Sequence, residues 1–162
     1  MQITKTISET REALATSGSH KKIGFVPTMG ALHKGHLSLV EKCHLESDFT
    51  VVSIYLNPAQ FGPQEDLNRY PRNLERDIDL LRSYDADLIF TPDDVQMYPE
   101  GYCTWVKVEG LSDILCGASR PGHFRGVATI VLKLIHIINP NLMFMGMKDY
   151  QQIIVLEKMI QD

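Results

Sequence analysis

An α/β fold, with a doubly wound, mostly parallel sheet in a single domain, is what this sequence predicts, on three observations. Short apolar runs rich in β-branched and aromatic residues recur at 23–26, 49–56 and 87–91, each too short for a helix. Between them apolar residues fall at helical spacing, Leu37, Val40 and Cys43 in one stretch and Leu74, Ile78 and Leu81 in the next. The resulting order, strand–helix–strand–helix–strand, is that of parallel neighbours, which need a crossover long enough to return to the same end of the sheet.

The elements follow in order. Residues 3–7 form a short strand or an extended lead-in, and Thr6 or Ser8 caps a helix that runs to about Thr16 and stops at Gly18. The strand at 23–26 is ended by Pro27 and Gly30, and a helix opens after Gly35. The strand at 49–56 runs into Asn57-Pro58-Ala59-Gln60-Phe61-Gly62-Pro63, an irregular loop at its carboxyl end. Tyr70-Pro71-Arg72 leads into the helix of Leu74, Ile78 and Leu81, and residues 87–91 are the third strand. After a loop at 92–101, residues 103–108 alternate apolar and polar, which predicts a strand with one wet face, at a sheet edge or in an intersubunit contact. Residues 117–126 are a glycine-rich basic loop, and Val127, Ile130, Val131, Leu134, Ile135 and Ile138 give the next helix a wide apolar face. A short strand at 142–145 and a helix at 149–160 close the chain. Parallel sheets bind ligands at the carboxyl ends of their strands, which directs attention to loops 27–36, 57–61, 117–126 and 146–152.

His33, Gly35 and His36 stand where the second helix begins. The first amides of a helix lack helical partners and its dipole is positive there, so the place suits phosphate. The same dipole disfavours a charged imidazole, leaving neutral N–H donors to face an anion. Residues three apart converge on one group, and Gly35 leaves room for its approach. Two other readings stay open: surface histidines at a helix start, or a metal site, for which no third ligand lies at a helpful spacing.

Composition bounds the partners. The 162 residues are 44% hydrophobic and 22% charged, a soluble globular balance with enough chain for one core. A net charge of −4 and the lack of a basic stripe argue against nucleic acid and anionic membrane, so a polyanion would have to be met by local cations, helix N-termini or a metal ion. No stretch approaches a membrane span and the first residues have no apolar signal core. Cys43, Cys103 and Cys116 have no metal-like spacing and read as reduced thiols of a cytoplasmic protein.

His-x-Gly-His after a strand resembles the signature of the Rossmann-like nucleotidyltransferases, which include class I aminoacyl-tRNA synthetases and small-molecule adenylyltransferases. Further motifs narrow the resemblance: Val26-Pro-Thr-Met-Gly30, Asn57-Pro-Ala-Gln60-Phe61, Tyr70-Pro-Arg72, Ser119-Arg-Pro-Gly-His123-Phe-Arg-Gly126 and Lys148-Asp-Tyr-Gln-Gln152. Over nearly its whole length the chain resembles the pantothenate synthetases, the pantoate–β-alanine ligase family. The resemblance implies condensation of pantoate with β-alanine at the expense of ATP, through pantoyl adenylate, with release of pyrophosphate and then AMP. It implies His33, His36 and Lys148 as catalytic groups at the phosphates. ATP would be held by Thr28, Met29, Gly30, His33, His36, Gly146, Lys148 and Asp149, the last with the Gly146 backbone at the ribose. Pantoate would meet Gln60 and Gln152, with Pro27, Met29, Phe61 and Val127 or Val131 against its methyl groups. Asn57, Arg120 and His123 are further candidates, and Mg2+ would bridge the phosphates, with Asp77 a weaker candidate for contact to it. A homodimer is implied as well.

Two departures stand out. Met147 occupies a position where the family often has Glu or Gln. The family also continues into a smaller C-terminal domain carrying a Ser-Ser-Arg motif. Residues 1–162 are therefore expected to be its N-terminal nucleotide- and pantoate-binding domain, binding substrates with little or no turnover. Each side chain also has a plainer reading: Gln60 solvated, Gln151 or Gln152 at the surface, Arg120 and His123 bracing their loop, Asp77 on a wet helix face, Asp149 a helix cap. Rival functions are a non-catalytic pantoate- or nucleotide-binding domain and another small-molecule nucleotidyltransferase.

Overall fold

Strands β1 (Gln2–Thr4), β2 (Ile23–Thr28), β3 (Phe49–Ile54), β4 (Leu88–Phe90) and β5 (Leu142–Met143) pair in parallel in the order β1-β4-β3-β2-β5. The structure is a computed structural model that describes residues 1–62, 65 and 67–162, with Asn68 by its backbone alone. Pro63, the last residue of the expected loop after β3, lies outside the described residues. From β2 the chain steps through β3 to β4 on one side and then returns to lay β5 on the other side of β2. The strand order therefore reverses at β2, and the crevice over the carboxyl ends of β2 and β5 is where such sheets bind ligands.

Both faces of the sheet are covered, as a parallel sheet requires. Phe25, Val51, Leu88 and Phe90 point to a core shared with α1 (Ile7–Ser17), α6 (His123–Ile138) and α7 (Tyr150–Gln161). Their neighbours Val26, Val52 and Ile89 point the other way, against α2 (Lys34–Glu46) and α3 (Leu74–Arg82). This alternation, every second side chain to one face, turned continuous apolar runs into a two-sided core. Two short helices, α4 (Asp94–Met97) and α5 (Cys116–Ser119), interrupt the long stretch between β4 and α6.

Thr6 caps α1 through a reciprocal box with Glu9, whose carboxylate accepts the Thr6 amide at 3.0 Å, and the Gly18 amide closes the far end on the Leu14 carbonyl. Two expectations are corrected. Residues 102–108 are not a strand: they run without regular structure along α6, where the Val106 amide donates to Thr129 Oγ1 at 3.0 Å. Their alternation reflects packing against that helix, with the Arg125 guanidinium 4.7 Å from the Trp105 ring centroid. Asp149 does not cap α7 with its side chain; it ends a short 3-10 turn, Met147–Asp149. The wide apolar face expected of α6 is present and buried within this chain, at Val127, Ile130, Val131, Leu134 and Ile138. Among the described residues no helix is long and apolar enough to cross a membrane, and Cys43, Cys103 and Cys116 are free thiols.

Candidate active site

A cavity of about 480 Å³ opens over the carboxyl ends of the central strands. Pro27, Thr28, Met29, His33 and His36 line it from the β2–α2 connection, and Tyr55, Asn57 and Gln60 from the end of β3. Val127, Ile130, Val131 and Leu134 of α6 form an apolar wall, and Met145, Gly146, Lys148, Asp149 and Gln152 complete it after β5. The cavity has a dry half and a wet half. Asn57, Gln60 and the α6 residues are buried, whereas His33, Gly146, Lys148 and Asp149 are exposed.

The β2–α2 turn that carries the histidines is wound unusually. Gly30 at φ +81° is followed by Ala31 at φ +52°, a conformation a side chain rarely adopts. Asp77 holds it there. From the first turns of α3 its carboxylate accepts the Ala31 amide at 2.8 Å and the Leu32 amide at 2.9 Å, and it is only 1% exposed. The expectation of a wet helix face is corrected: the carboxylate faces inward, where two amides of a left-handed turn need an acceptor. Among the described residues no group of three or more His, Cys, Asp or Glu is gathered to hold a metal. Thr28 is likewise structural in its hydroxyl, which donates to the Ser53 carbonyl at 2.7 Å.

His33 is the cap of α2. Its Nδ1 accepts the Gly35 amide at 3.1 Å, so in the neutral ring Nε2 carries the proton. The His36 ring lies 4.2 Å from it, centroid to centroid. Burial pushes the His36 pKa below the usual imidazole range; His33 and the Lys148 ammonium push it the same way, and Asp77 opposes them. The ring is thus neutral near pH 7, and its buried Nδ1 has no partner among the described residues.

Gln60 is held from two sides. Its Oε1 accepts from Asn57 Nδ2 at 3.1 Å and its Nε2 meets Met29 Sδ at 3.0 Å. Its backbone carbonyl accepts from His123 Nδ1 at 2.9 Å, which leaves His123 Nε2 as the acceptor for Arg120 Nη1, also at 2.9 Å; Arg120 in turn pairs with Glu65 at 2.6 Å. Arg120 and His123 therefore brace the Gln60 turn and do not line the cavity. Gly126 lets α6 come this close: a Cβ there would stand 2.3 Å from the Ala59 carbonyl oxygen. Of the two glutamines opening α7, Gln152 faces the cavity, while Gln151 ties down the 111–116 segment through Leu111, Ile114 and Cys116.

Phe61 and Gly30 stand behind the lining. Phe61 packs edge-on against Tyr70, ring centroids 6.0 Å apart, and it is Tyr70 that reaches the cavity. Sequence reasoning missed Tyr55, whose hydroxyl donates to Asp94 at 2.8 Å. Its signal was present: Tyr55 continues the two-residue period of Phe49 and Val51 to the carboxyl end of β3.

A family profile described as Pantoate-beta-alanine ligase matches residues 2–162. The pantothenate synthetase of Pseudothermotoga lettingae is 53% identical over 162 residues, covering 100% of this chain and 58% of its own. That of Acetivibrio thermocellus is 51% identical over 163 residues, again covering 100% of this chain and 58% of its own. The crystal structure of pantothenate synthetase from Thermus thermophilus superposes with a TM-score of 0.96 at 50% identity, covering 100% of this chain and 58% of that one. The structure of pantoate-beta-alanine ligase from Francisella tularensis complexed with beta-gamma ATP and beta-alanine gives a TM-score of 0.95 at 42% identity, over 100% of this chain and 62% of that one. The chain thus spans somewhat more than half the length of these relatives.

Proposed function

The chain belongs to the pantoate–β-alanine ligase family, and on that premise we propose that its cavity is the pantoate and ATP site of an ATP-dependent ligase that joins pantoate to β-alanine. The observation that carries the reading is the division of one cavity into a dry half with two amides and an apolar wall, and a wet half with two histidines and a lysine. A small branched hydroxy acid suits the first. Val127, Val131, Pro27 and Met29 offer surface for its methyl groups, and the Gln60 and Gln152 amides can donate to or accept from its hydroxyls. A triphosphate suits the second, with Nε2–H of His33, the neutral His36 ring and the Lys148 ammonium as donors, and with Gly146 and Asp149 at the ribose.

In the proposed first step a pantoate carboxylate oxygen bonds to the α-phosphorus of ATP and the bond to the bridging oxygen breaks, releasing pyrophosphate. The β-alanine amine then attacks the acyl carbon of pantoyl adenylate, loses a proton, and AMP leaves. The chain's own contribution is to align the carboxylate and to set neutral donors and one cation where phosphate charge grows. Mg2+ enters the proposal only as the ion that accompanies ATP. Asp77, whose oxygens accept the Ala31 and Leu32 amides, is the weaker candidate for contact to that ion, and no step is assigned to it. A homodimer and a cytoplasmic location are proposed on the family resemblance and the free thiols alone.

Calorimetry of the chain against pantoate and against Mg-ATP tests the reading. Gln60→Ala or Gln152→Ala is expected to weaken pantoate by about 1–3 kcal/mol, the cost of an unpaired buried polar group, and to leave ATP nearly unchanged. Unchanged pantoate binding in both variants defeats the assignment.

A further inference from the structure

We propose that Tyr98, which lies outside the cavity, is a positioning residue that fixes the Gln60 amide through Asn57. This rests on the proposed pantoate site and adds a residue to it. The Tyr98 hydroxyl donates to Asn57 Oδ1 at 2.8 Å, the shortest contact that Asn57 makes; the Ala59 amide reaches the same oxygen at 3.3 Å. With its oxygen so occupied, Asn57 turns its NH2 group to the Gly126 carbonyl at 3.2 Å and to Gln60 Oε1 at 3.1 Å. Gln60 Oε1 is thereby turned to Asn57, and its NH2 is left to Met29 Sδ, a weak acceptor, and to the cavity. Reversing the Gln60 amide would set NH2 against NH2 at Asn57. The chain of three side chains therefore makes Gln60 a donor toward the ligand, suited to a carboxylate or hydroxyl oxygen.

Asn57 is 1% exposed and Gln60 8%, so both amides depend on partners within the protein. Tyr98 is itself clamped from outside. Its ring stacks on Trp105 with centroids 6.0 Å apart and planes at 24°, and meets Tyr102 edge-on at 5.1 Å. The Lys133 ammonium lies 5.2 Å from its centroid while donating to the Met97 carbonyl. Burial and the Asp94 and Tyr102 neighbours keep the phenol protonated, hence a donor, throughout the working pH range.

The test compares Tyr98→Phe with wild type, in the native and in the Gln60→Ala background. Removing one hydroxyl should lower pantoate affinity roughly 3–10-fold, the worth of one buried hydrogen bond, with Mg-ATP affinity unchanged. In the Gln60→Ala background the same change should have almost no effect on pantoate, because the group it positions is gone. An equal loss in both backgrounds, or an equal loss of ATP affinity, overturns the proposal in favour of a merely structural tyrosine. The Gln60 side-chain NH2 resonances of the ligand-free chain give a readout independent of pantoate. They should shift or broaden in Tyr98→Phe and also in Asn57→Asp, which keeps the side chain's size but cannot donate to Gln60. Unchanged resonances in both variants overturn the positioning role. A wild-type chain that ignores pantoate overturns the functional reading instead, and the resonances still decide the role of Tyr98.

Discussion

The state of the His36 ring is decided by what surrounds it. Burial first, then His33 and Lys148, hold it neutral, so the proposed phosphate contact would carry no desolvation cost of a buried cation. His36→Ala, in a protein of the relatives' full length, should lower turnover more than ATP affinity, by about 2.7–4 kcal/mol if it meets charge that grows in the transition state. Steady-state kinetics beside ATP binding checks this, and equal losses would mark ground-state binding only. The ring also predicts a pH dependence. His36 and His123 both have folded pKa values below the ordinary 6.5, so under acid the unfolded chain binds protons that the folded chain refuses. Stability should hold above that value, fall as the pH drops through it, and flatten below the folded values. Thermal melts across the range check the slope, which His36→Gln should make shallower. Asp77→Asn keeps the size of the side chain but presents NH2 to one of the two amides it held. It should cost about 1–3 kcal/mol in denaturant unfolding and loosen the histidine turn.

Elements were the most legible level. Period-two and period-3.6 patterns report which face of a segment is buried, and β2, β3, α2, α3 and α6 follow from them directly. The failures are of one kind. Residues 103–108 alternate like a strand, yet no pattern within six residues says whether the partner is a strand or a helix; here it is Thr129 of α6. The site shows the same limit. His33, His36, Gln60, Lys148 and Gln152 stand beside turn residues that mark strand ends, and all of them line the cavity. That Asp77 braces Ala31, or that His123 holds the Gln60 carbonyl, depends on contacts between residues 46 and 63 apart, which local spacing does not encode. At this scale the α6 contact with the Pro58–Gln60 turn makes a prediction. Gly126→Ala places a methyl against the Ala59 carbonyl, so helix and turn must part, at a cost of about 1–3 kcal/mol. Pantoate affinity should fall with stability, since Asn57 donates to the Gly126 carbonyl itself; unfolding curves and calorimetry on the same variant check both.

At the scale of the whole molecule, the wet half of the cavity is bounded by exposed residues on the β5 side. Charge interactions with a triphosphate are weaker there than in a closed site. The 162-residue chain alone should therefore bind pantoate, hold ATP weakly and release pyrophosphate slowly. A protein extended to the length of the relatives should turn over much faster, and equal rates would mean that this part suffices. One further consequence lies in the order of the strands. β1 is made before β2 and β3, but its partner is β4, with Gln2 opposite Leu88. Helix α1 waits longer still, because Ala13 and Leu14 bury themselves in a core that α6 completes. The nascent chain thus carries β1 and α1 unpaired while the β2–β3 pair is already able to form. β1 and α1 stay without their partners for longer than β2 does, since β3 follows β2 directly.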